Sequence, residues 1–400
     1  TAKVALGKRL HEITNEITGE TTAAFEPAID YVVTKVPRWP IDKFPDTDFT
    51  LSTAMKSTGE AMSIGRTFEE SLLKALRSSE YDPAVEFDAL EGEELRKGYL
   101  ERPSPDRPYA MFEAFERGFS VEEVVEATGI YEWYVERFAR IVEASKEVVD
   151  GEFTPAAVAG FTNAEISALA GNVFEDSSLT WLPETRGAWR EAAEPVAPGA
   201  ESEGLPVSAE RAGVGEVEAT VPGRTYKQVD TCAGEFAAST PYYYSSRKPE
   251  SFTGPFEGEA AAGELQVDRD AESVVVVGGG PIRIGQGVEF DYCAVHAVRA
   301  LSELGIDAHV LNNNPETVST DYDTSDGLFF EPITAEEVAD AIEATDADGV
   351  MVQFGGQTSV DVGEPLKDEL DRRGVDCEIL GTSVDAMDLA EDRDRFNRLM

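Results

Sequence analysis

Four consecutive valines, Val274, Val275, Val276 and Val277, run straight into three glycines, Gly278, Gly279 and Gly280, and no other stretch limits the possible folds so much. An unbroken apolar run of this length reads as a strand buried on both faces, as strands are in the middle of a parallel sheet. Pro281, Arg283, Gly285 and Gly287 follow. Apolar residues then recur at helical spacing: Tyr292, Val295, Val298 and Leu301, with Leu304 one turn on. Gly305 is placed to end that helix. A second strand, 308–311, leads into Asn312-Asn313-Asn314-Pro315-Glu316. Strand, glycine-rich loop, helix and strand make one βαβ unit. Its loop leaves the carboxyl end of a strand, where open α/β sheets hold their ligands.

The same alternation continues to the end. Residues 335–345 have helical spacing, and 349–354 read as a strand ending in Gly355-Gly356-Gln357-Thr358. A helix then runs towards Arg373-Gly374. A short strand and turn occupy 378–383, and a charged helix starts near 390. This order predicts an α/β domain over 272–400, a parallel sheet with helices on both faces.

The glycine loop is not a standard nucleotide cradle. If Gly278 and Gly280 open a dinucleotide fingerprint, its third glycine falls at 283, which is Arg283. The acidic residue expected after the second strand is replaced by asparagines. A phosphate-binding P-loop fails as well, because no Gly-Lys-[Ser/Thr] follows. Arg283 offers a fixed charge and a fork of donors suited to an oxyanion. Alternatively the glycines serve tight strand–helix packing and Arg283 sits in a salt bridge. Spacing alone does not choose between these.

Before residue 272 the chain changes character several times. Residues 2–17 have helical spacing, and 29–37 are β-rich and stop at Pro37. Lys56, among small residues in Met55-Lys56-Ser57-Thr58-Gly59-Glu60, either touches a phosphate or is a solvated lysine at a turn. Thr67–Glu70, Ser120–Glu123 and Thr162–Glu165 have the capping-box form that starts helices. Apolar residues of 80–190 (Met111, Phe112, Phe115, Phe119, Val124, Val135, Phe138, Ile141) recur at helical spacing, with Trp133 among them, and predict a small helical domain with a packed core. Residues 191–224, rich in Ala, Glu, Gly and Pro, read as a flexible acidic insertion. Residues 226–271 read as a connector, and their cluster Tyr242, Tyr243 and Tyr244 as packing.

Composition excludes several partners. With 78 acidic against 34 basic residues the formal charge is −44. Such a surface repels nucleic-acid phosphates and anionic membranes, so neither is expected as a partner. No signal peptide or apolar run of membrane length is evident, and a cytoplasmic protein is expected. Cys232, Cys293 and Cys377 are far apart and lack metal-ligand or disulfide spacing, so they are expected to be reduced and buried. His11, His296 and His309 form no motif, and His296 is expected to pack on its helix. Beginning at Thr1 and stopping at Met400 within a helix-like run, the sequence reads as a segment of a longer protein.

Long runs of this sequence resemble one family. GGGPIRIGQGVEFDYCAVHA, NNNPETVSTDYDTSDGLFFEP, VQFGGQT and LGTSVDAMDLAEDRDRF, with FEPAIDYVVTKVPRW, MKSTGEAMSIGRTFEESLLKALRS and YKQVDTCAGEFAASTPYYYS before them, resemble the large subunit of glutamine-hydrolysing carbamoyl phosphate synthase, in the same order. Cover is poorest over 80–225, where the acidic insertion departs from the family's usual helical oligomerisation domain. The resemblance implies two synthetase halves, each built on an ATP-grasp fold. The first makes carboxyphosphate from bicarbonate and ATP. Ammonia from a glutaminase small subunit converts this to carbamate, which the second half phosphorylates with another ATP. It further implies Mg²⁺ (or Mn²⁺) and K⁺ as cofactors, and a role in arginine and pyrimidine biosynthesis.

On this resemblance, residues 1–79 are the tail of the first ATP-grasp half, 80–225 the oligomerisation-like domain and a route for self-association, and 272–400 a Rossmann-like pre-ATP-grasp domain opening the second half. Most ATP and metal ligands are then expected outside residues 1–400. Arg283, Gly287, Glu289 and Glu316 match residues that line the route taken by carbamate between the halves. Two other classes compete. A biotin-carboxylase-like enzyme shares the pre-grasp domain but lacks a helical region between two synthetase pieces. A non-catalytic binding or oligomerisation piece would bind no ATP.

The acidic residues are spread along the whole chain, and lysine is scarcer than arginine. This pattern suits a high-salt cytoplasm, in which counterions screen self-repulsion. Unfolding midpoints measured over a KCl titration should therefore rise with salt; flat midpoints would rule the adaptation out.

Overall fold

The computed structural model describes residues 2–149, 159–162, 165, 205–211, 215–221, 224–247 and 264–400, apart from single positions 42, 45, 82, 84, 234, 235, 237 and 392. Near the start, β1 (Val32–Arg38) and β2 (Gly59–Gly65) form an antiparallel ribbon in register from Val32↔Gly65 to Arg38↔Gly59. The strand runs through Pro37, which a two-stranded ribbon tolerates because its outer edge needs no further donor. The continuous helix expected over 2–17 is not formed. A short helix Ala2–Ala5 gives way at Gly7 to a single 3₁₀ turn, Leu10–Glu12, and a bridge between Thr14 and Thr22. Helix α1 (Phe68–Ser78) packs on the ribbon and is capped by Thr67, whose hydroxyl accepts from the Glu70 amide.

The helical layer comprises α2 (Arg107–Glu116), α3 (Val121–Thr128) and α4 (Glu132–Val149). Met111, Phe112, Phe115, Val124, Val135, Phe138 and Ile141 form its core, as their spacing predicts. Trp133 is instead 41% exposed, with the Arg137 guanidinium 4.6 Å from its ring centre. Ser120 and Glu123 exchange hydrogen bonds as a capping box, and so do Thr162 and Glu165. The segment read as a flexible insertion contains an antiparallel hairpin, β3 (Leu205–Arg211) with β4 (Gly215–Val221). Its strands alternate apolar and polar residues (Val207, Ala209; Val217, Ala219, Val221), a period of two that the surrounding Ala, Glu and Gly obscure.

A seven-stranded sheet follows, built from β5 (Thr225–Gln228), β6 (Tyr242–Ser246), β7 (Ser273–Val277), β8 (Asp307–Asn312), β9 (Gly327–Phe330), β10 (Gly349–Met351) and β11 (Glu378–Ile379). Its order is β11-β10-β7-β8-β9-β6-β5, and every neighbouring pair is parallel except β5 with β6. Two of the strands thus come from residues first read as a connector. Burial of the tyrosines explains their place: Tyr243 stacks with Phe329 and Tyr244 packs with Ile64 and Phe330.

Helices cover both faces. Val274 and Val276 face α5 (Val288–Leu304) through Ala294, Val298 and Leu301. Val275 and Val277 face α6 (Ala335–Thr345) and, beyond the short α7 (Gln357–Asp361), α8 (Gly363–Arg373), through Val338, Ile342, Leu366 and Leu370. The buried arc of α5 is narrower than its spacing predicts. Tyr292 is 63% exposed and stacks its ring on exposed His296 at 4.2 Å, and Leu304 is 75% exposed. Cys293 lies on that same outer side, whereas Cys232 is buried and burial pushes the half-buried Cys377 thiol up to about 12. His309 is buried in β8, and desolvation pushes it down to about 4, so it is neutral.

Buried charges join the helical layer to the sheet. Lys74 of α1 donates to the Ser245 carbonyl at 2.6 Å and pairs with fully buried Glu331 at 3.0 Å. Glu331 also accepts from the Ser245 amide. Nearby, Arg224 pairs with Asp340 at 2.8 Å and Glu336 at 3.1 Å, and Arg373 pairs with Asp340 at 2.7 Å. Burial alone would raise Asp340, but Arg224 and Arg373 outweigh it and hold the carboxyl below its ordinary value. Removing one member of a buried pair strands the other. Lys74→Ala should therefore cost about 3–5 kcal/mol, read as a lower denaturant midpoint. Lys74→Met combined with Glu331→Gln, which keeps an acceptor for Ser245, should restore most of that loss.

Candidate functional site

Sheet order reverses beside β7: the chain goes from β7 outward to β8 and β9, then returns to β10 on the other side. The loops leaving β7 and β10 therefore meet over the carboxyl ends of the strands, at a topological switch point. They meet closely. A Cβ at Gly355 would overlap the Gly278 carbonyl. Gln286 fastens the two loops, its amide donating to the Gly279 carbonyl at 2.5 Å and the Gly355 carbonyl at 2.7 Å. Asn312, at the end of β8, accepts from the Gly280 amide at 3.0 Å.

Arg283 uses its whole fork within this framework. Its Nε donates to Gln286 at 2.5 Å, Nη2 to the Thr358 hydroxyl at 2.8 Å, and Nη1 pairs with Glu80. Of the two readings left open by the spacing, the salt bridge is the one observed. Glu80 lies just beyond α1 with φ 49, a left-handed conformation unusual for a residue with a side chain. Neither Glu289 nor Glu316 is its partner. Gly287 caps α5, and Glu289 folds its carboxylate beside it, exposed, in the first turn. Glu316 lies 3.6 Å from Lys35 of β1, which also pairs with Glu60. No hydrogen bond or ion pair among the described residues joins Arg283 to Glu289 or Glu316: Arg283 turns towards the switch point, while Glu316 belongs to a chain of charges on the ribbon.

The ribbon reaches the loop directly. The Ile282 amide donates to the Glu60 carbonyl at 3.2 Å, and the Met62 amide to the Asn313 carbonyl at 3.1 Å. Gly59 makes this approach possible, since a Cβ there would collide with the Ile282 carbonyl. Between the end of β1 and the loop lies a cavity of about 350 Å³ lined by Arg38, Lys43, Thr58, Arg283, Gln286 and Gln357, among others. No carboxylate is among the described lining residues. In a chain of net charge −44, a lining that holds the Arg38 guanidinium and no described carboxylate suits an anion. Lys56 does not line it; the Lys56 ammonium donates to the Asp48 carbonyl at 2.5 Å and the Thr50 carbonyl at 2.7 Å, a turn-stabilising role. Among the described residues no group of three or more His, Cys, Asp and Glu is arranged to hold a metal ion. No helix among them is long and apolar enough to cross a membrane.

Comparison with known proteins agrees with this architecture. Residues 270–389 match the carbamoyl phosphate synthase preATP-grasp domain, and residues 60–180 match the carbamoyl-phosphate synthetase large chain, oligomerisation domain. The chain belongs to the carbamoyl phosphate synthase large-chain family. It is 66% identical over all 400 residues to the carbamoyl phosphate synthase large chain of Halobacterium salinarum, and covers 34% of that protein. It is 47% identical over 401 residues to the large chain of Methanosarcina acetivorans and 46% identical over 409 residues to that of Methanothrix thermoacetophila, covering 33% of each. It spans about a third of the length of these relatives.

Within this member of the carbamoyl phosphate synthase family, the preATP-grasp match holds β7, both switch-point loops and Arg283, and the oligomerisation match holds β2, α1 and Glu80. The Glu80–Arg283 pair therefore ties one matched region to the other. Sequence reading missed Glu80, Gln286, Thr358 and Arg38. The sole local signal was the second glycine pair, Gly355-Gly356, which marks a second close loop.

The contact at Gly59 gives a direct test. Gly59→Ala forces a methyl group into a packed backbone contact, and should cost about 1–3 kcal/mol. Hydrogen exchange of the Ile282 amide should speed up more than that of the β7 amides.

Proposed function

We propose that this chain is part of an enzyme that makes carbamoyl phosphate from bicarbonate, glutamine-derived ammonia and two molecules of ATP. In this reading bicarbonate oxygen attacks the γ-phosphorus of ATP, giving carboxyphosphate and ADP. Ammonia then attacks the carboxyl carbon and expels inorganic phosphate, leaving carbamate. A carbamate oxygen takes the second γ-phosphoryl group, giving carbamoyl phosphate and ADP. Residues 1–79 act as the tail of the first synthetase half, and 272–400 open the second. ATP, with Mg²⁺ (or Mn²⁺) and K⁺, is required, and none of their ligands is assigned to residues 1–400. The glutaminase small subunit supplies ammonia, the helical region supports self-association, and the product feeds arginine and pyrimidine synthesis in the cytoplasm.

One observation carries the part assigned to this chain: the β1–β2 ribbon, whose second strand begins the oligomerisation match, docks on the glycine loop of the preATP-grasp match, with a cavity between them. Carboxyphosphate and carbamate both decompose in water, so an enclosed passage between two sites suits this chemistry. Gly285 lines the cavity and adds no side chain to it. Arg283 holds the loop's shape by binding Glu80, Thr358 and Gln286 together.

Replacing Arg283 by alanine in the complete enzyme should release these three groups and let the loop collapse. Carbamoyl phosphate synthesis should then fall about tenfold or more, further than bicarbonate-dependent ATP hydrolysis, because charge-assisted hydrogen bonds are lost only at the passage. Parallel loss of both activities would count against this assignment.

A further inference from the structure

The cavity beside the glycine loop contains two guanidinium groups in opposite circumstances. Arg283, on the loop wall, has its donors committed to Gln286, Thr358 and Glu80. Arg38, on the facing wall at the end of β1, makes no side-chain hydrogen bond or ion pair with any described residue. Its position is nonetheless fixed. Arg38 pairs across the ribbon with Gly59, and its carbonyl accepts from the Thr58 amide at 3.0 Å. The side chain is half-buried, with the Tyr81 phenol in its electrostatic field. The Tyr81 hydroxyl is in turn committed to Asp106 at 2.6 Å. Asp106 is thereby tied up by another donor, and Glu80 by Arg283.

We propose that Arg38 is the anion-holding residue of this cavity, and that its ligand is a small planar carboxylate of the carbamate type. Arg283 is then a positioning residue that shapes the opposite wall. This deepens the functional reading above and rests on it. A guanidinium fork receives a carboxylate through two parallel hydrogen bonds, which a point charge cannot match. Thr58 lines the same cavity and offers a hydroxyl for the remaining edge of the ligand. The described lining adds no carboxylate to compete. Because β1 and β2 carry Arg38 to the loop, an anion held by this cation lies across the cavity from Gly285.

The test uses the complete enzyme and three assays: overall carbamoyl phosphate synthesis, bicarbonate-dependent ATP hydrolysis, and ATP formation from carbamoyl phosphate and ADP. With Arg38→Gln, overall synthesis should fall about tenfold further than either partial reaction, the size expected for one charge-assisted contact. ATP consumed per carbamoyl phosphate formed should rise accordingly. Arg38→Lys, which keeps the charge but not the fork, should recover part of the coupling. Retention of the partial reactions also reports that the variant folds. Wild-type stoichiometry in Arg38→Gln would overturn the proposal, and so would a partial reaction falling as far as the overall one, since that would put Arg38 inside one active site. An unaltered enzyme that forms no carbamoyl phosphate would sink the functional reading itself, a failure distinct from a fully coupled Arg38→Gln enzyme.

Discussion

One ammonium group, that of Lys74, fixes the distance between the helical layer and the sheet. It comes from α1 and is 2% exposed, and it meets Glu331 and the Ser245 carbonyl at the end of the sheet. A charge so placed tolerates no drift, because any widening of the interface leaves two ions desolvated and unpaired. Everything that converges on the glycine loop from the amino-terminal side inherits this constraint. The β1–β2 ribbon lies under α1, Glu80 follows α1 directly, and both reach the loop from there. The ring of Arg224, Arg247 and Arg373 around Glu336 and Asp340 repeats the device further along the same interface.

The cavity follows from two independent close approaches. Gln286 sets the spacing of the loops after β7 and β10, and Gly59 sets the spacing of ribbon and loop. The first is a property of the sheet, the second of its docking partner. A ligand between them would touch both, so binding there is sensitive to movement of either region against the other. The left-handed backbone at Glu80 lies on that seam, where local strain is held in place by the surrounding contacts.

The βαβ unit was legible because its signals are local. Four valines, a glycine cluster and a helical period need no distant partner to be recognised, and the same holds for the capping pairs at Ser120 and Thr162. The site was less legible because its contacts are distant. Arg283 and Glu80 are 203 positions apart, and Lys74 and Glu331 are 257 apart. The acidic composition made this worse: among 78 Asp and Glu residues, neither Glu80 nor Glu331 stands out. It also hid the β3–β4 hairpin, whose alternation is embedded in a run of Ala, Glu and Gly. Arg283 was found through its neighbouring glycines, but its pairing was not. Arg38 gave no signal at all, since its meaning depends on which other cations are already occupied.

The alternation along β7 has one more consequence. Even-numbered valines belong to the core under α5 and odd-numbered ones to the core under α6 and α8, with Ser273↔Asp307 and Gly349↔Val274 fixing the frame on both sides. Because all four positions carry the same residue, swapping faces would leave the packing chemistry of the strand almost unchanged. The frame must come from outside the valines: from Gly278, whose missing side chain makes room for Asn312, and from Ser273, which meets Asp348. The strand behaves as a sliding bolt with a stop at each end. An inserted or deleted residue within it would be absorbed by the two cores and expressed at the loop, as a displaced mouth on an otherwise intact sheet.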